Sequence, residues 1–455
     1  MLMTPPVTEK QIVARLERLP ASRWQLKVRT IVGTATFFDA FDALAIALAL
    51  PALIGLWHLT PPEIGFLISS GYVGQIIGAL AFGAIAERFG RIRALTACVA
   101  LISVFSLASA FAWSYQSLLV LRFIQGLGLG GEVPLAAAYI SELAKANSRG
   151  RFVGLYENVF TVGLLVASLV SIWIVPHLGW QWMFIIGAAP AVLVFWLVRA
   201  VPESPRWLAG KGRLAEAGAT LDRIESLVTE GDVSKLPPLP EPLPEVVAHG
   251  SDPWGIFRGR YLGRTFVVWA LWFFAALISY TLTVWLPSIY RTVFNLPVQD
   301  ALVANLLTAV AGLCGGLTVA FVIDRIGRRA WFTTAFIGSA LPLLWLGTHG
   351  STLTVDMVKY LCMICSYFSS SMLLALYIYT PEIYPTRNRA VGTSIATAWQ
   401  RVGTIVGPLF VSFALPGYGL GAVFLVFAGA AILAALTVIF FVDETRLRVL
   451  EEVSP

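Results

Sequence analysis

Twelve runs of mostly apolar residues follow one another along this 455-residue chain, each long enough to cross a lipid bilayer as a helix. A helix needs about 20 apolar residues to cross the hydrocarbon core. Only 13% of the residues are charged, whereas soluble domains carry about 25%. The sequence therefore predicts an all-α membrane protein with twelve transmembrane helices, over residues 30–56, 64–86, 93–112, 116–141, 151–175, 181–200, 265–290, 300–323, 330–348, 353–379, 390–414 and 418–442.

The positions of the basic residues predict the orientation of the chain. With the N-terminus inside, Arg291 and Lys359 lie in outer connections, Arg122 and Arg401 lie within spans, and the rest of the 32 Lys and Arg lie in inner segments. Loops rich in Lys and Arg stay in the cytoplasm. We therefore expect a multi-pass protein of the cell inner (plasma) membrane, with both termini cytoplasmic. The net charge of +6 then results from the basic inner segments that set the topology next to membrane lipid. No nucleic-acid partner is expected.

A polar stretch at residues 207–263 divides the predicted spans six and six. It begins with an amphipathic segment, Lys211–Thr229, that is predicted to be helical. A proline-rich stretch, Leu236–Pro244, follows and is too stiff to be a helix. The predicted segments are a cytoplasmic N-terminal segment (1–29), an N-terminal six-helix bundle (30–206), a cytoplasmic linker (207–263), a C-terminal six-helix bundle (264–442) and a cytoplasmic tail (443–455).

An internal repeat relates the two halves, because three charged motifs occur twice in the same order. Glu87–Arg91 recurs as Asp324–Arg328, Glu142 recurs as Glu382, and Glu203 recurs as Glu444. The offsets are 237, 240 and 241 residues, which is nearly constant. Duplicated halves are typical of secondary transporters.

The charged loops resemble the signature motifs of the major facilitator superfamily, in particular its sugar-porter and organic-ion branches. These loops lie at residues 83–93, 122–131, 142–151, 202–206, 324–329 and 381–389. Gly130–Pro134, Arg149–Phe152 with Glu157, and Tyr280–Pro287 are similar to bacterial nicotinate permeases and to synaptic-vesicle-protein-like relatives. The resemblance implies two pseudo-symmetric six-helix bundles and transport by alternating access. We expect a monomer without a cofactor.

The resemblance also implies that charge networks at the cytoplasmic ends of the helices latch the two halves in the outward-open state. The alternative is that these loops only set the membrane topology. The candidate gating residues are Glu87, Arg88, Arg91, Glu142, Arg149, Glu203 and Arg206 in the first half, and Asp324, Arg325, Arg328, Glu382 and Arg389 in the second.

Charged residues within spans are costly, at least about 2.5–3.5 kcal/mol each, and therefore indicate function. Asp42 and Arg122 match an aspartate–arginine pair of proton-linked sugar porters, and the resemblance implies that they form a proton switch. A permanent structural ion pair is the alternative. Asp39 is also assigned to proton coupling because it lies one helical turn from Asp42. Glu132 is left open between a proton relay and helix packing.

The resemblance implies a substrate site at the positions that bind sugar in sugar porters, but most of the amide side chains that would bind sugar hydroxyls are replaced there. Aromatic rings and a buried guanidinium take their place. Arg401 can bind a carboxylate through two parallel hydrogen bonds. The alternative is that it neutralises Glu157 or another acid of the cavity. The predicted substrate-binding residues are Glu157, Phe274, Tyr280, Tyr377, Gln400 and Arg401.

These features predict proton-coupled uptake of a small aromatic organic acid, and nicotinate is the best candidate. An organic cation or a neutral, nicotinamide-like aromatic solute is the alternative, with Glu157, Asp39 and Glu132 as its supporting acids. Sugar–proton symport ranks below both. An enzyme is not expected, because the four histidines lie in loops or at span ends without metal-ligand spacing. No metal site or cofactor is predicted.

Overall fold

The computed structural model describes residues 8–20, 22–143, 149–239, 253–349, 352–384 and 389–446. The regular structure within these ranges is helical throughout. The helices are α1 (Glu9–Arg18), α2 (Arg23–Trp57), α3 (Pro61–Phe89), α4 (Arg91–Ala110), α5 (Tyr115–Leu143), α6 (Arg149–Leu178), α7 (Gln181–Gly187), α8 (Ala191–Ala200), α9 (Pro205–Gly210), α10 (Leu214–Val228), α11 (Arg260–Thr292), α12 (Val298–Ile326), α13 (Arg328–His349), α14 (Val355–Glu382) and α15 (Arg389–Phe441). Two short 3₁₀ helices, Val233–Lys235 and Pro253–Phe257, lie between α10 and α11.

Eleven helical stretches in the described ranges are long and apolar enough to cross a membrane. The last of them, Gly392–Phe441, has 50 residues, whereas about 20 suffice for one crossing. Two helices meet in it at Gly419, whose φ of 75° and ψ of 173° are not helical. Glycine tolerates this conformation because it has no Cβ atom. The predicted eleventh and twelfth spans therefore appear as one kinked element, and the predicted fold class is confirmed.

The chain forms two compact units. Unit 1 comprises Met1–Ala43, Val73–Val166 and Met183–Val247, and unit 2 comprises Leu44–Tyr72, Ala167–Trp182 and Ala248–Pro455. The division into bundles at 30–206 and 264–442 stays a prediction.

Close contacts between α3 and α5 explain the glycine-rich segment of α5. A Cβ atom on Gly130 would collide with the backbone of Gln75, and one on Gly78 would collide with the backbone of Leu127. Small residues let helix backbones approach closely within a membrane. The segment Gly126–Gly131 therefore serves helix packing, although its spacing formally matches a dinucleotide-binding motif.

The interior of unit 2 is built around large aromatic side chains. Trp272, Phe332, Phe336 and Tyr384 are fully buried in one apolar cluster. In this unit α11 and α13 pack against α15, and α12 packs against α14. On α15, Gly403 lies so close to α11 that a Cβ atom there would meet a backbone carbonyl.

The amphipathic helix predicted at Lys211–Thr229 is confirmed as α10, and α1 lies against it. Ile12 and Leu16 of α1 are buried in the apolar cluster that contains Leu221 of α10. Arg15 donates two hydrogen bonds to the Glu225 carboxylate, at 3.0 and 2.7 Å. Burial alone raises the pKa of Glu225, but hydrogen bonds from Arg15 and Arg18 outweigh it and hold this pKa below its usual value.

Candidate functional site

Three polar side chains surround the fully buried carboxylate of Asp42 in α2. The Ser106 hydroxyl of α4 lies 2.8 Å from Asp42 Oδ1. The Gln125 side-chain amide of α5 donates a hydrogen bond to Asp42 Oδ2. The nearest guanidinium nitrogen of Arg122 lies 4.0 Å from the same oxygen. The structure thus brings together the aspartate and the arginine that were assigned to the proton switch.

Gln125 mediates between these two charges. Arg122 Nη1 donates to Gln125 Oε1 at 2.7 Å, and reaches the backbone carbonyl of Asp42 only at 3.4 Å. Residues 122 and 125 are one helical turn apart and share a face of α5. The sequence analysis missed Gln125, although this spacing could have shown that it accompanies the arginine.

The segment around α7 closes the same cluster. The backbone carbonyl of Phe184 lies 2.9 Å from the Ser106 hydroxyl, which has one proton and donates to one acceptor at a time. The Arg122 guanidinium lies 5.8 Å from the centre of the Phe184 ring. A Cβ atom at Gly187 would lie 2.5 Å from Asp42 Oδ1. Glycine at position 187 therefore leaves the space that the carboxylate occupies.

Asp39 and Glu132 are also buried within unit 1. The Thr36 hydroxyl of α2 donates to Glu132 Oε1 at 2.9 Å. Glu132 lies ten residues beyond Arg122 on α5, which corresponds to about 15 Å along the helix. It therefore ties α5 to α2 at a different level from Asp42, through a threonine that the sequence analysis did not identify.

Three of the predicted substrate residues form one hydrogen-bonded group in unit 2. The Gln400 amide of α15 donates to the Tyr280 hydroxyl of α11 at 3.0 Å. The Tyr377 hydroxyl of α14 donates to Gln400 Oε1 at 3.4 Å. The buried Trp272 ring packs edge-on against Tyr377, with 4.7 Å between the ring centres. The result is an aromatic group with an amide at its centre, and Trp272 is an additional member.

The other predicted substrate residues have different surroundings. Phe274 is partly buried and packs against the apolar core of unit 2, and its role in substrate binding stays a prediction. Arg401 follows Gln400 on α15 and is partly buried. The side chain of Glu157 lies outside the described residues.

A frame of charged residues stands at one end of unit 1. Arg91 pairs with Glu142 at 3.2 Å and with Glu87 at 2.7 Å. Glu203 accepts hydrogen bonds from the backbone N–H groups of Arg91 and Ile92, at 2.8 and 3.2 Å. These N–H groups belong to the first turn of α4, so Glu203 satisfies donors that have no partner within the helix.

The corresponding frame in unit 2 repeats each contact. Arg328 pairs with Glu382 and with Asp324, both at 2.8 Å. Glu444 accepts hydrogen bonds from the backbone N–H groups of Arg328 and Arg329 at 3.0 Å, in the first turn of α13. Burial alone raises the pKa of Glu444, but these backbone hydrogen bonds hold it below its usual value. The internal repeat read from the sequence is therefore also a structural repeat.

The remaining gating candidates lie in different surroundings. Arg206 pairs with Glu17 of α1 at 2.9 Å and so belongs to the contact between α9 and α1. Arg88 and Arg325 are exposed. The side chains of Arg149 and Arg389 lie outside the described residues.

Comparison of the chain with known protein families agrees with the repeated frame and the buried charges. A family model described as sugar (and other) transporter matches residues 44–455. The chain belongs to this family of the major facilitator superfamily. It is a multi-pass membrane transporter of small molecules and not an enzyme.

Relatives of this transporter cover nearly its whole length. The niacin transporter NiaP of Acinetobacter baylyi is 33% identical, over 97% of this chain and 99% of that one. The putative niacin/nicotinamide transporter NiaP of Bacillus subtilis is 29% identical, over 94% and 98%. The synaptic vesicle 2-related protein of Xenopus laevis is 29% identical, over 96% and 82%. The expected resemblance is confirmed.

A solved structure supports the fold of the transporter. The inward-open conformation of the xylose transporter XylE from Escherichia coli superposes with a TM-score of 0.76, over 94% of this chain and 99% of that one. The sequence identity is 21%, so this likeness concerns the fold alone.

Proposed function

We propose that this transporter takes up a small aromatic carboxylic acid, nicotinate first, together with a proton and by alternating access. The observation that carries the proposal is the hydrogen-bonded group formed by Tyr280, Gln400 and Tyr377, with Arg401 as the next residue after Gln400 on α15. Aromatic faces suit a flat ring, the amide and hydroxyls suit its polar edge, and a guanidinium suits a carboxylate. Two relatives are named as transporters of niacin or of niacin/nicotinamide, which points in the same direction.

The proton-coupling role is proposed for Asp42 and Arg122, with Asp39 and Glu132 as further acids. Asp42 is fully buried and is held by Ser106 and Gln125 rather than by a direct, short bond to the arginine. A carboxylate in such surroundings can gain and lose a proton without breaking a tight ion pair. This supports a switch over a permanent structural pair.

A neutral or cationic aromatic solute is the second candidate. The buried carboxylates Asp39 and Glu132 favour the cationic case, because acids within a membrane protein can compensate a cationic substrate. The B. subtilis relative, whose name includes nicotinamide, also favours it.

We further propose that the two charged frames face the cytoplasm and act as gates, breaking and re-forming during the transport cycle. The distribution of basic residues supports this orientation in the inner membrane with both termini inside. We expect the transporter to act as a monomer.

The experiment that tests the substrate class compares the binding of nicotinate and nicotinamide to the wild type, Arg401→Ala and Arg401→Lys at one pH. Loss of a charge-assisted bidentate contact should weaken nicotinate binding by roughly 10- to 150-fold. Nicotinamide binding should change far less, because the amide carries no charge. Arg401→Lys should restore part of the loss, since lysine keeps the charge but not the planar fork.

The matched control is Arg291→Ala, which removes another partly buried arginine of unit 2, at the opposite end of α11 from Arg260. It should leave both ligands unaffected. Equal weakening of nicotinate and nicotinamide in Arg401→Ala would make Arg401 a structural residue and would favour the neutral or cationic substrate.

A further inference from the structure

An open groove with a volume of about 560 Å³ lies between the beginning of α11 and the end of α15, in unit 2. Its polar lining includes Arg260, Arg264 and Asp443. Arg260 begins one of the helical stretches that are long enough to cross a membrane, and Asp443 lies two residues beyond the end of another. The polar end of this α11–α15 groove therefore lies where the membrane meets water.

The charges in the groove do not cancel. Arg264 binds Asp443, with its Nη2 atom 2.7 Å and its Nε atom 2.9 Å from Asp443 Oδ2. Arg260 is exposed, and its guanidinium lies 5.2 Å from the centre of the Tyr261 ring. Two arginines and one aspartate leave one positive charge. The groove therefore suits a single negative charge, such as one phosphodiester.

The rest of the groove is apolar and extends into the membrane. Phe266 and Phe441 line it with 55% and 66% of their surface exposed. Ala270, also in the lining, lies ten residues beyond Arg260, or about 15 Å along α11. This is half of the ~30 Å hydrocarbon core. A water-soluble anion gains nothing from such a wall, whereas an acyl chain does.

We propose that the α11–α15 groove binds one anionic phospholipid. Its phosphodiester contacts Arg260, and one acyl chain lies along Phe266, Ala270 and Phe441. Basic pockets between helices at the membrane surface are suited to phospholipid head groups. The site is separate from the substrate and proton residues, and it does not depend on their proposed roles.

The test is native mass spectrometry of the full chain, titrated with phosphatidylglycerol and phosphatidylcholine that carry identical acyl chains. The wild type should retain one phosphatidylglycerol in preference to phosphatidylcholine. Arg260→Gln should weaken phosphatidylglycerol binding about fivefold, the value of one basic residue at a membrane surface. Asp443→Asn should strengthen it, because the net charge of the groove rises from one to two.

Two further arms separate the possible sources of the phosphate and guard against a misfolded variant. Ala270→Trp fills the apolar part and should weaken both lipids while leaving Arg260 in place. Glycerol phosphate, which has the anion but no acyl chain, should not displace the lipid. Arg213→Gln, which alters an exposed arginine paired with Glu216 elsewhere, is the matched control and should change nothing.

Equal binding of the two lipids by the wild type would overturn the proposal. The same conclusion would follow from unchanged phosphatidylglycerol binding in both Arg260→Gln and Ala270→Trp. Displacement of the lipid by glycerol phosphate would identify a soluble-phosphate site instead.

Discussion

The two units carry nearly the same charged frame but different interiors. Arg91 and Arg328 make matching contacts to a carboxylate one turn away and to a carboxylate of another helix. Away from these frames, unit 1 buries Asp42 and Arg122, whereas unit 2 places a Tyr–Gln–Tyr group beside Trp272, with Tyr377 48% exposed. The duplicated frame serves a task common to both halves, and the interiors have diverged. This favours proton handling in unit 1 and recognition of an aromatic solute in unit 2.

The first prediction tests whether proton handling belongs to unit 1 alone. Asp42→Asn removes the buried carboxylate while keeping its shape, so proton-driven uptake should be abolished. Substrate exchange without a gradient, and binding at the unit 2 site, should remain measurable. The measurement is nicotinate uptake into liposomes with and without an inward proton gradient.

The control for this variant is Asp300→Asn, which changes an exposed carboxylate in the first turn of α12. It should retain gradient-driven uptake. If the proton gradient still drove uptake by Asp42→Asn, the assignment of Asp42 to proton coupling would be wrong. The difference between the two units would then not reflect a division into proton handling and substrate recognition.

The second prediction concerns the glutamine between the two buried charges. Gln125→Leu removes the donor to Asp42 and the acceptor for Arg122, leaving two buried charged groups with fewer hydrogen bonds. The free energy of unfolding should fall by about 1–3 kcal/mol. Proton-driven uptake should fall more than exchange, because only the former requires the cluster to change its protonation.

Thermal unfolding in detergent and the ratio of driven uptake to exchange measure these two effects. Gln116→Leu, a change at an exposed glutamine on the same helix, α5, is the control. An unchanged ratio in Gln125→Leu, together with reduced stability, would make Gln125 a packing residue only.

The third prediction compares how much the two charged frames contribute to the free energy of unfolding. Glu382 accepts two hydrogen bonds from Arg328 and one from Thr445, whereas Glu142 accepts one from Arg91 among the residues that the structure describes. Glu382→Gln should therefore lower the free energy of unfolding by about 1–3 kcal/mol, and Glu142→Gln by about half as much.

The melting temperatures of the two variants provide this comparison directly. Accessibility of cysteines introduced near each frame then reports gating, and should rise in both variants if the frames act as gates. Equal destabilisation by the two changes would mean that the extra hydrogen bonds at Glu382 contribute nothing.

The smallest expected effect is a pH dependence of the contact between α1 and α10 in unit 1. The pKa of Glu225 in the folded chain lies below its usual value of 4.5. Its stabilising contribution is therefore fully present above that value and is lost as the pH falls through the folded pKa. Limited proteolysis of the α1 segment should become faster on acidification below about 4.5.

Glu225→Gln should remove most of this pH dependence, because no carboxylate remains to be protonated. Glu216→Gln, at the exposed pair with Arg213 on the same helix, should leave it intact. Identical acid sensitivity in wild type and Glu225→Gln would place the cause outside this contact.

The amino-acid sequence by itself determined the span pattern, the internal repeat and the charged frames. A segment that crosses lipid must satisfy its backbone hydrogen bonds internally, so length and apolarity along the chain are enough to locate it. The motif around Glu87 and Arg91 could also be identified from the sequence, because its duplication around Asp324 and Arg328 indicated that its residues act together.

Only the tertiary structure decided which side chains meet between helices. Gln125 lies between Asp42 and Arg122, Gly187 leaves room for the carboxylate, and Glu203 accepts hydrogen bonds from backbone N–H groups of α4. All three arrangements depend on the rotation and register of the helices. One residue of rotation moves a side chain by 100° around the helix axis. Apolar periodicity does not determine such a rotation in spans that are apolar on every side, because the packing of neighbouring helices sets it.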